Sequence, residues 1–564
     1  MPEIVERPVD DAVVARLTAA GCDARLARIY AARGLAAMDE LSTTLQSLVP
    51  PQSLHRIDEA AQLLADAIAR REKLLIVADY DADGATACAV GVKALRSMGG
   101  VVEYLVPNRR IHGYGLTPEI AREAALRAPH WLITVDNGIA AVDGIAEANR
   151  LGMRVLVTDH HLPGAEPPAA ACIVNPNQHG CAFPSKNLAG VGVVFYVMLA
   201  LRAELRRRGV FTPSNPEPNL AELLDLVALG TVADVVKLDS NNRILVAQGL
   251  ARIRAGKASP GVAALLSVAG RDPRRIVAAD LAFAVGPRLN AAGRLEDMST
   301  GIECLLARDH GRAYAIATKL DALNRERREI ESKMQDSALA MVDAVEATDT
   351  YCITMHHVQW HPGVVGLLAS RLKDRFNKPV FAFASDNDGT MKGSGRSIAA
   401  LHLRDALDRV DKAKPGMLVR FGGHAAAAGA TLAPGALDEF RAAFESIARA
   451  MLTPADLAQR IETDGALASA ELTCELAGVI QGQVWGQGFP EPRFCDTFEV
   501  AQQRTVGGQH LKLRLQREGR AFDAMLFGES GELPRRIEAV YRVEVNEFNG
   551  MLGLQLTLHH WRPV

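Results

Sequence analysis

The most constraining feature of this sequence is a unit that recurs through its first half. A short, continuous apolar run is followed by a break and then by a helical pattern, and the runs occupy residues 74–79, 101–106, 131–136, 154–159 and 172–175. Continuous apolar strands with room for a helix between them are typical of βαβ units, which build a parallel sheet with helices on its faces. The first half of the chain therefore predicts an α/β domain with a parallel sheet.

Three of these runs end in an aspartate, namely Asp79, Asp136 and Asp159. In open parallel sheets, ligands bind at the carboxyl ends of the strands. A single aspartate at such a position is more often the cap of the next helix. Three in register favour a different interpretation, in which the side chains converge on one site.

The first run continues into the motif DYDADG, which places Asp81 and Asp83 close behind Asp79, and Asp234 belongs to the motif GTVADVV at 230–236. Carboxylates held within a few ångströms repel one another or take up protons unless a cation lies between them. The cluster therefore predicts bound divalent metal more strongly than a general acid/base pair or an acidic turn on a solvated surface. An EF-hand is a poor alternative because no Glu occupies the twelfth position counted from Asp79 or Asp81.

A histidine pair, His160-His161, directly follows Asp159. Imidazole beside carboxylates suits Mn²⁺ or another first-row metal, and an oxygen-rich set also suits Mg²⁺. Asp159 is placed to orient one of the two rings through its second nitrogen. The pairs His356-His357 and His559-His560 are interpreted as structural, at a strand end and in a terminal strand.

The second half is expected to begin with a long helix over residues 312–346 and to continue as a second α/β segment. Its strands are predicted at 351–355 and 379–383. Two glycine-rich motifs, GSGRS at 393–397 and GGHAAAAG at 422–429, are interpreted as loops.

The pattern changes after Pro454, where strands are predicted at 511–515, 521–527, 540–545 and 552–558. The last two are joined by a loop containing Asn549-Gly550, a strong hairpin signal. These strands predict a small all-β module. In the first of them leucines alternate with Lys512 and Arg514, so one face is expected to be basic, either for nucleic acid or only for solubility.

Length and composition narrow the class of protein. A chain of 564 residues suggests three or four folding units. The longest nearly apolar stretch, residues 188–201, is shorter than the roughly 18 residues that span a bilayer, so it predicts a buried helix. The N-terminus is acidic and shows no secretory signal, and the eight cysteines form no CxxC pair, so a cytoplasmic protein with reduced thiols is expected. The net charge of −3 argues mildly against nucleic acid, unless the acidic groups are concentrated in one site.

Eight motifs in order resemble the DHH/DHHA1 phosphoesterase superfamily. They are DYDADG, VDNG (135–138), TDHH (158–161), GTVADVV, GPRLNAAGR (286–294), WHPGVVG (360–366), GSGRS and GGHAAAAG. The likeness extends over nearly the whole chain and includes WGQGFPEPRF (485–494) in an OB-like module. Within the superfamily, the chain looks most like the bacterial 5′→3′ exonucleases specific for single-stranded DNA.

The resemblance implies a two-metal phosphodiesterase that releases 5′-mononucleotides. Two ions, Mn²⁺ or Mg²⁺, would be held by residues with carboxylate or imidazole side chains, with Asp136 bridging: Asp79, Asp81, Asp83, Asp136, His160 and Asp234. Of the catalytic residues Asp136, Asp159, His160 and His161, the resemblance places His161 against the scissile phosphate and Asp159 behind the ligands.

The resemblance also implies a set of residues that contact DNA, in which guanidinium groups suit a terminal phosphate. They are Arg109, Arg288, Arg294, His361, Ser394, Arg396 and His424. This chain departs from the family pattern at Arg110, Ile111 and His112, where acidic residues are expected. The departure affects what the resemblance implies about the local phosphate pocket but not about the metal ligands.

The implied organisation is a DHH catalytic domain (1–310) with a parallel sheet, a connecting helix (311–346), a smaller α/β DHHA1 substrate-binding domain (347–453) and an OB-like nucleic-acid-binding β-barrel (454–564). The implied role is DNA repair and recombination on single-stranded DNA with a free 5′ end. A single-strand binding protein and a helicase are partners implied by the family, and no membrane is expected.

Two alternatives remain open at this point. One is a hydrolase of short oligonucleotides or small phosphorylated nucleotides, although relatives of that type generally lack the third segment. The other is a non-catalytic scaffold of the kind found in the eukaryotic replicative-helicase relative, in which the metal ligands have largely been lost. Here all of them are present.

Overall fold

The computed structural model describes residues 2–109, 112–344, 349–385, 389–548 and 551–564. The chain forms two compact units, one of Met1–Val5 with Ala322–Ile461 and the other of Glu6–Asp321 with Glu462–Val564. Arg110 and Ile111, and the hairpin turn predicted at Asn549-Gly550, lie outside the described residues.

A five-stranded parallel sheet lies in the unit that contains Glu6–Asp321. Up to the end of this sheet the elements are β1 (Glu3–Glu6), α1 (Asp11–Ala19), α2 (Ala24–Ala31), α3 (Ile57–Ala69), β2 (Lys73–Ala78), α4 (Ala82–Ser97), β3 (Val101–Leu105), α5 (Pro118–Ala125), β4 (Trp131–Val135), α6 (Val142–Arg150), β5 (Arg154–Thr158) and β6 (Cys172–Val174). The strand order is β3-β2-β4-β5-β6, and all neighbours are parallel. The predicted parallel sheet is confirmed.

The order of the strands places a topological switch point between β2 and β4. β3 lies next to one edge of β2, and β4, which follows β3 in the chain, lies next to the other edge of β2. In doubly wound sheets the crevice at such a point, outside the carboxyl ends of the strands, is where ligands bind. Asp79 directly follows β2 and Asp136 directly follows β4.

Helices complete this part of the chain. They are α7 (Gly190–Arg207), α8 (Leu224–Ala233), α9 (Ser240–Arg254), α10 (Pro260–Val268), α11 (Ala278–Asp280), which runs into a π-helical turn at Leu281–Val285, α12 (Gly286–Leu295), α13 (Ser299–Leu306) and α14 (His310–Ala344). α7 contains most of the apolar stretch predicted to be a buried helix, and that prediction is confirmed. α14 is 35 residues long, as the charged helical pattern predicted, and crosses from one unit to the other after Asp321.

The unit that contains Ala322–Ile461 has a mixed sheet. Its further elements are β7 (Ile353–His356), α15 (Val365–Phe376), β8 (Val380–Ser385), β9 (Met391–Arg396), α16 (Leu403–Ala413), β10 (Leu418–Gly423), β11 (Ala427–Leu432) and α17 (Leu437–Met451). The order is β10-β11-β9-β8-β7, in which only the β7–β8 pair is parallel. The rings of Phe381, Phe383, Phe440 and Phe444 pack together in its core.

The glycine-rich motifs of this unit are mostly strand, and the prediction of two loops was wrong. GSGRS lies largely in β9, and GGHAAAAG forms the end of β10, a short turn and the start of β11. Gly393 and Gly395 pair with Phe383 and Phe381 of β8. A Cβ at Gly393 would lie 2.2 Å from the Phe383 ring, and one at Gly395 would lie 2.4 Å from the Phe381 ring. These glycines therefore make room for aromatic rings from the neighbouring strand.

The C-terminal segment forms a closed five-stranded barrel. Its elements are β12 (Arg460–Thr463), which pairs with β1, α18 (Cys474–Gly482), β13 (Phe494–Val506), β14 (His510–Arg517), β15 (Arg520–Phe527), β16 (Arg536–Phe548) and β17 (Met551–Pro563), with the barrel order β13-β14-β15-β17-β16. Along β14 the three leucines are buried, whereas Lys512 is half-buried and Arg514 is exposed. The expected alternation of buried leucines with outward side chains is confirmed, and Arg514 pairs there with Asp523 of the neighbouring strand at 2.7 Å.

The motif WGQGFPEPRF attaches this barrel segment to the N-terminal helices. The rings of Trp485 and Phe489 stack with centroids 5.1 Å apart, and Phe489 also stacks on Tyr30 of α2 at 6.3 Å. The guanidinium group of Arg243, on α9, lies 4.3 Å from the centroid of Phe489. The aromatic residues of this motif therefore serve to pack the barrel segment against α2 and α9.

None of the helices in the described ranges is long and apolar enough to span a membrane. All eight cysteines are free thiols.

Candidate metal centre

The DYDADG segment turns sharply between β2 and α4, and three contacts fix its path. Asp81 caps α4, its Oδ1 accepting a hydrogen bond of 3.0 Å from the N–H of Gly84. A Cβ at Gly84 would lie 2.4 Å from the carbonyl oxygen of Asp79, so only glycine fits there. The N–H of Ala82 donates to Oδ1 of Asn290, in GPRLNAAGR, at 2.9 Å. A motif more than 200 residues away thus supports the loop that carries the carboxylates.

Asp83 lies at the N-terminus of α7. The N–H groups of Gly190 and Val191 donate to its two carboxylate oxygens at 2.7 and 2.9 Å. A helix N-terminus carries a partial positive charge and unpaired N–H groups, so it favours a carboxylate. A Cβ at Gly190 would lie 2.6 Å from both Cβ and Oδ1 of Asp136, so the close approach of α7 requires glycine. The importance of Gly190 was not predicted from the sequence, in which the two glycines of the segment AGVG (189–192) were the available signal.

Asp136 and Asn137 shape the end of β4. Asp136 has a φ of +62°, a left-handed conformation that a non-glycine residue adopts at a cost of about 1–2 kcal/mol. The side-chain amide of Asn137 donates to the carbonyls of Val77 and Val135, each at 3.0 Å. This amide ties the ends of β2 and β4 together and so supports the turn that aims the Asp136 carboxylate into the crevice.

The structure brings every sequence-predicted metal ligand into one cluster. Three overlapping groups have ligand atoms within 4.8 Å of one another: Asp79, Asp81 and Asp136; Asp136, His160 and His161; and Asp83, His160 and Asp234. Nε2 of His160 lies 3.1 Å from Oδ1 of Asp136, 3.6 Å from Asp234 and 4.0 Å from Asp83. Asp136 and His160 each belong to two of the groups.

The polar atoms of this cluster fit divalent cations. Oδ1 of Asp79, Oδ1 of Asp136 and Nε2 of His160 are buried and make no well-aligned hydrogen bond among the described residues, although the last two atoms lie 3.1 Å apart. Buried polar atoms in folded proteins are nearly always satisfied, and exceptions mark functional atoms or a missing ion. Carboxylate oxygens with one imidazole nitrogen form a donor set that suits Mn²⁺ and Mg²⁺.

Electrostatics leads to the same conclusion. Burial and then the charge of Asp81 raise the pKa of Asp79 well above its ordinary value, and burial and then the charge of Asp83 do the same for Asp136. Burial and the charge of Asp234 raise the pKa of Asp83 to about 7, and burial and the charge of Asp81 raise the pKa of Asp234 to about 7. The metal-free cluster therefore holds protons that cations would displace.

The loop after β5 is held by its own aspartate. Asp159 accepts hydrogen bonds from the N–H groups of Ile139, His160 and His161 at 2.9, 2.7 and 3.1 Å. Its Oδ1 also lies 2.8 Å from Nδ1 of His161. Burial opposes a charge on His161, but the bond to Asp159 and the nearby carboxylates outweigh it and raise its pKa to about 9. Asp159 thus orients the loop and the His161 ring from behind the ligand cluster.

Two asparagines that sequence reasoning missed hold the backbone of the histidine pair. The side-chain amide of Asn175 donates to the carbonyl of His161 at 2.9 Å, and that of Asn177 donates to the carbonyl of His160 at 2.6 Å. The signal available in the sequence was the segment NPNQ directly after β6. This segment resembles an ordinary turn, so it did not predict a contact with the histidine pair.

The predicted DNA-contacting residues lie in both units. Arg109 stacks on Tyr80 of DYDADG, with its guanidinium carbon 4.3 Å from the ring centroid. Arg288 and Arg294 lie on α12. Arg288 forms an ion pair of 2.8 Å with Asp321 of α14. These three arginines belong to the unit that holds the carboxylate cluster.

The other four predicted DNA contacts belong to the unit of Ala322–Ile461. Ser394 and Arg396 lie on β9 with Nη1 of Arg396 3.0 Å from Oγ of Ser394, and His424 follows β10. His361 precedes α15, and its Nδ1 accepts a hydrogen bond of 3.1 Å from the N–H of Gly363. Within this unit Arg396 of β9 lies opposite Ala427 of β11 in the sheet. The N–H of His424 donates to the carbonyl of Ala427 at 2.8 Å. Their contacts with DNA remain predictions.

Three family domains match successive parts of the chain. Residues 73–231 match the DHH family, N-terminal domain, residues 348–450 match the DHHA1 domain, and residues 463–560 match the RecJ OB domain. The order and extent of these matches agree with the order of the parallel sheet, the mixed sheet and the barrel.

Curated relatives resemble the chain over almost its whole length. It is 52% identical over 556 residues to the single-stranded-DNA-specific exonuclease RecJ of Dickeya dadantii, with 96% of each chain covered. It is 49% identical over 554 residues to the corresponding protein of Escherichia coli, again with 96% of each covered.

Solved structures show the same likeness. The crystal structure of RecJ in complex with Mn²⁺ from Thermus thermophilus matches with a TM-score of 0.83 at 30% identity, covering 100% of this chain and 79% of that one. A crystal structure of exonuclease RecJ bound to manganese matches with a TM-score of 0.60 at 34% identity, covering 71% of this chain and 96% of that one.

Proposed function

Because the chain belongs to the RecJ family of single-stranded-DNA-specific exonucleases, we propose that it hydrolyses single-stranded DNA from a free 5′ end and releases 5′-mononucleotides. The observation that carries this proposal is the cluster of buried and half-buried carboxylates and imidazoles at the switch point between β2 and β4. A scaffold would have no need to keep such a costly set of like charges together.

The cluster is assigned to two divalent cations, Mn²⁺ or Mg²⁺. The residues that would hold them are Asp79, Asp81, Asp83, Asp136, His160 and Asp234, and Asp136 belongs to two of the candidate ligand groups, as a residue shared by both ions would. When bound, a pair of such ions supplies Lewis-acid activation of water and of the phosphodiester in an in-line displacement. The protein contributes the rigid carboxylate frame, which α7, Asn137 and Asn290 hold in place.

His161 is assigned to the scissile phosphate. Against the effect of burial, the hydrogen bond to Asp159 and the nearby carboxylates raise the pKa of His161 to about 9, which favours the protonated imidazole. Nδ1 is engaged by Asp159, so Nε2 is the atom that would direct a positive charge or a proton at a phosphate oxygen. Asp159 acts through His161 and through the backbone of the loop.

Polarity from the 5′ end is assigned to residues that bind a terminal phosphate. Arg109, Arg288 and Arg294 in one unit, and Arg396 with Ser394 in the other, each supply guanidinium or hydroxyl donors that suit a phosphate monoester. His361 and His424 are assigned to the DNA strand beside them. Arg288 is paired with Asp321. When DNA binds, its guanidinium group would have to leave Asp321 or contact Asp321 and the phosphate together.

The domains are proposed to divide this work. We assign catalysis to residues 1–310, connection to the helix at 311–346, substrate binding to 347–453 and nucleic-acid binding to the barrel at 454–564. A cytoplasmic location, a role in DNA repair and recombination, and association with a single-strand binding protein and a helicase complete the proposal.

The proposal is tested with a 5′-phosphorylated single strand, Mn²⁺ and two variants. Asp136→Ala is expected to keep its fold, measured by thermal unfolding, and to lose more than about 100-fold in nuclease activity because the shared ligand is gone. Asp143→Ala, at an exposed aspartate of α6, is the control and should cleave like the wild type. Full activity of Asp136→Ala would defeat the proposal.

Substrate length separates this function from hydrolysis of short oligonucleotides. The same enzyme is assayed on the long strand and on a dinucleotide. The exonuclease assignment predicts a higher kcat/KM on the long strand. A preference for the dinucleotide would favour the alternative function, and absence of divalent binding with no hydrolysis of either would favour a scaffold.

A further inference from the structure

Tyr114 is carried into the metal centre by a loop built around two glycines. Gly113 has a φ of +77° and Gly115 a φ of +69°, conformations that favour glycine. A Cβ at Gly115 would already touch the Asn137 side chain at 3.4 Å. The loop thus packs directly on the turn after β4 and places the Tyr114 ring between that turn and the histidine pair.

The hydroxyl of Tyr114 holds the backbone of Asp136. It donates to the carbonyl oxygen of Asp136 at 3.3 Å. Asp136 is the residue with the left-handed φ of +62°, and a strained conformation persists only when its surroundings fix it. The direction of the Asp136 carboxylate depends on that backbone conformation.

The same side chain confines the His161 ring. The Tyr114 hydroxyl oxygen lies 3.3 Å from both Nδ1 and Nε2 of His161, so it sits beside the imidazole, midway between its nitrogens. The two rings are edge to face, with centroids 5.8 Å apart and planes at 78°. Asp159 fixes only the Nδ1 end of the imidazole, at 2.8 Å. Tyr114 restricts the ring from a second side.

We propose that Tyr114 is a positioning residue for hydrolysis, which acts chiefly through His161: its hydroxyl is anchored on the Asp136 carbonyl and fixes the orientation of the imidazole ring. The inference rests on the proposed function. Misplacement of a catalytic group by about 1 Å can cost 10²-fold in rate, so a residue of this kind acts on kcat. Tyr114 is 47% exposed as a residue, so it contributes less packing than a core tyrosine.

Two substitutions separate the hydroxyl from the ring. Tyr114→Phe should lower kcat by about 10-fold, and Tyr114→Leu by about 100-fold, with KM for the strand unchanged within about twofold. The melting temperature and the Mn²⁺ affinity of Tyr114→Phe should match the wild type. Tyr104→Phe is the control, since that tyrosine donates to Glu303 at 2.6 Å outside the metal centre, and its kcat should not change.

A double-mutant cycle with His161→Ala tests the route of the effect. If Tyr114 acts largely through His161, Tyr114→Phe should lower kcat much less in the His161→Ala background than in the wild type. Additive losses in both backgrounds would overturn the inference. An unchanged kcat in Tyr114→Phe, a change confined to KM, or a loss explained by weaker Mn²⁺ binding would each overturn it as well.

The failure of the inference can be told apart from failure of the proposed function. If Asp136→Ala is inactive while both Tyr114 variants cleave normally, the exonuclease assignment stands and the role of Tyr114 does not. If Asp136→Ala remains fully active, the proposed function itself is wrong. Should Tyr114→Leu fail to fold, Tyr114→Phe alone decides the question.

Discussion

The N–H of Gly190, the first residue of α7, donates a hydrogen bond of 2.7 Å to the carboxylate of Asp83, and its Cα faces the Asp136 side chain. One glycine therefore serves two of the carboxylates in the cluster. It brings a helix N-terminus to Asp83 and leaves room for Asp136. The geometry of the metal centre depends on this contact as much as on the ligands themselves.

Gly190→Ala should damage the metal centre. A Cβ at this position would lie 2.6 Å from Asp136, so α7 or the Asp136 side chain must move. We expect a loss of roughly 1–3 kcal/mol in the free energy of unfolding from overpacking, with at least about 10-fold weaker Mn²⁺ binding and lower nuclease activity. Chemical denaturation and isothermal titration calorimetry measure the two effects.

The control is Gly478→Ala in α18, where a Cβ would meet nothing within 4 Å. Alanine is a better helix former than glycine, so this variant should be unchanged or up to about 1 kcal/mol more stable. Equal behaviour of the two variants would contradict the account of Gly190.

The effect of metal on stability should depend on pH. The pKa values of Asp83 and Asp234 are raised to about 7 in the folded protein, above their unfolded values, so the folded state binds more protons between about pH 4 and 7. These groups therefore make the metal-free protein less stable as pH rises through that range. Cations replace the protons, so the increase in melting temperature on adding Mg²⁺ should be larger at pH 8 than at pH 6.

Thermal unfolding with EDTA or with Mg²⁺ at the two pH values provides the measurement. Asp136→Asn should lose most of the Mg²⁺ effect at both. An increase that is the same at pH 6 and pH 8 would mean that the cluster holds no displaceable protons.

Tyr80 should matter for the 5′ phosphate. Its ring is the platform for Arg109, whose guanidinium carbon lies 4.3 Å from the ring centroid. In Tyr80→Leu the guanidinium loses this support, and we expect KM to rise about 10-fold, equivalent to about 1.4 kcal/mol, for a 5′-phosphorylated strand. KM for a 5′-hydroxyl strand should change little.

The matched control for Tyr80 is Tyr351→Leu, which removes the platform of Arg449, 4.7 Å away, in the other unit. It should leave both KM values as they are. Equal increases of KM for the two strands in Tyr80→Leu would show that Arg109 does not read the terminal phosphate.

The sequence predicted the frame of the site because the relevant signals are local. Continuous apolar runs specify buried strands, and an aspartate directly after a run must lie at the carboxyl edge of the sheet. Asp79, Asp136 and Asp159 could therefore be placed at one edge before any coordinates were known. The identification of further ligands relied on family motifs.

The remaining features depend on contacts between distant residues, which no local pattern encodes. Gly190 and Asp83 are 107 positions apart, and Asn290 supports a loop 208 positions before it. GSGRS resembles a loop until the rings of Phe381 and Phe383 are seen to occupy the space beside its glycines. The role inferred for Tyr114 depends on contacts with Asp136 and His161, which lie 22 and 47 positions further along the chain.

The most direct test of the account is the number of Mn²⁺ ions bound per chain, measured by calorimetry at neutral pH and checked by elemental analysis. The account predicts two ions for the wild type and fewer than two, or much weaker binding, for the nearly isosteric variant Asp136→Asn, with nuclease activity lost in parallel. Wild-type protein that cleaves single-stranded DNA at full rate in EDTA, with no bound metal, would contradict it.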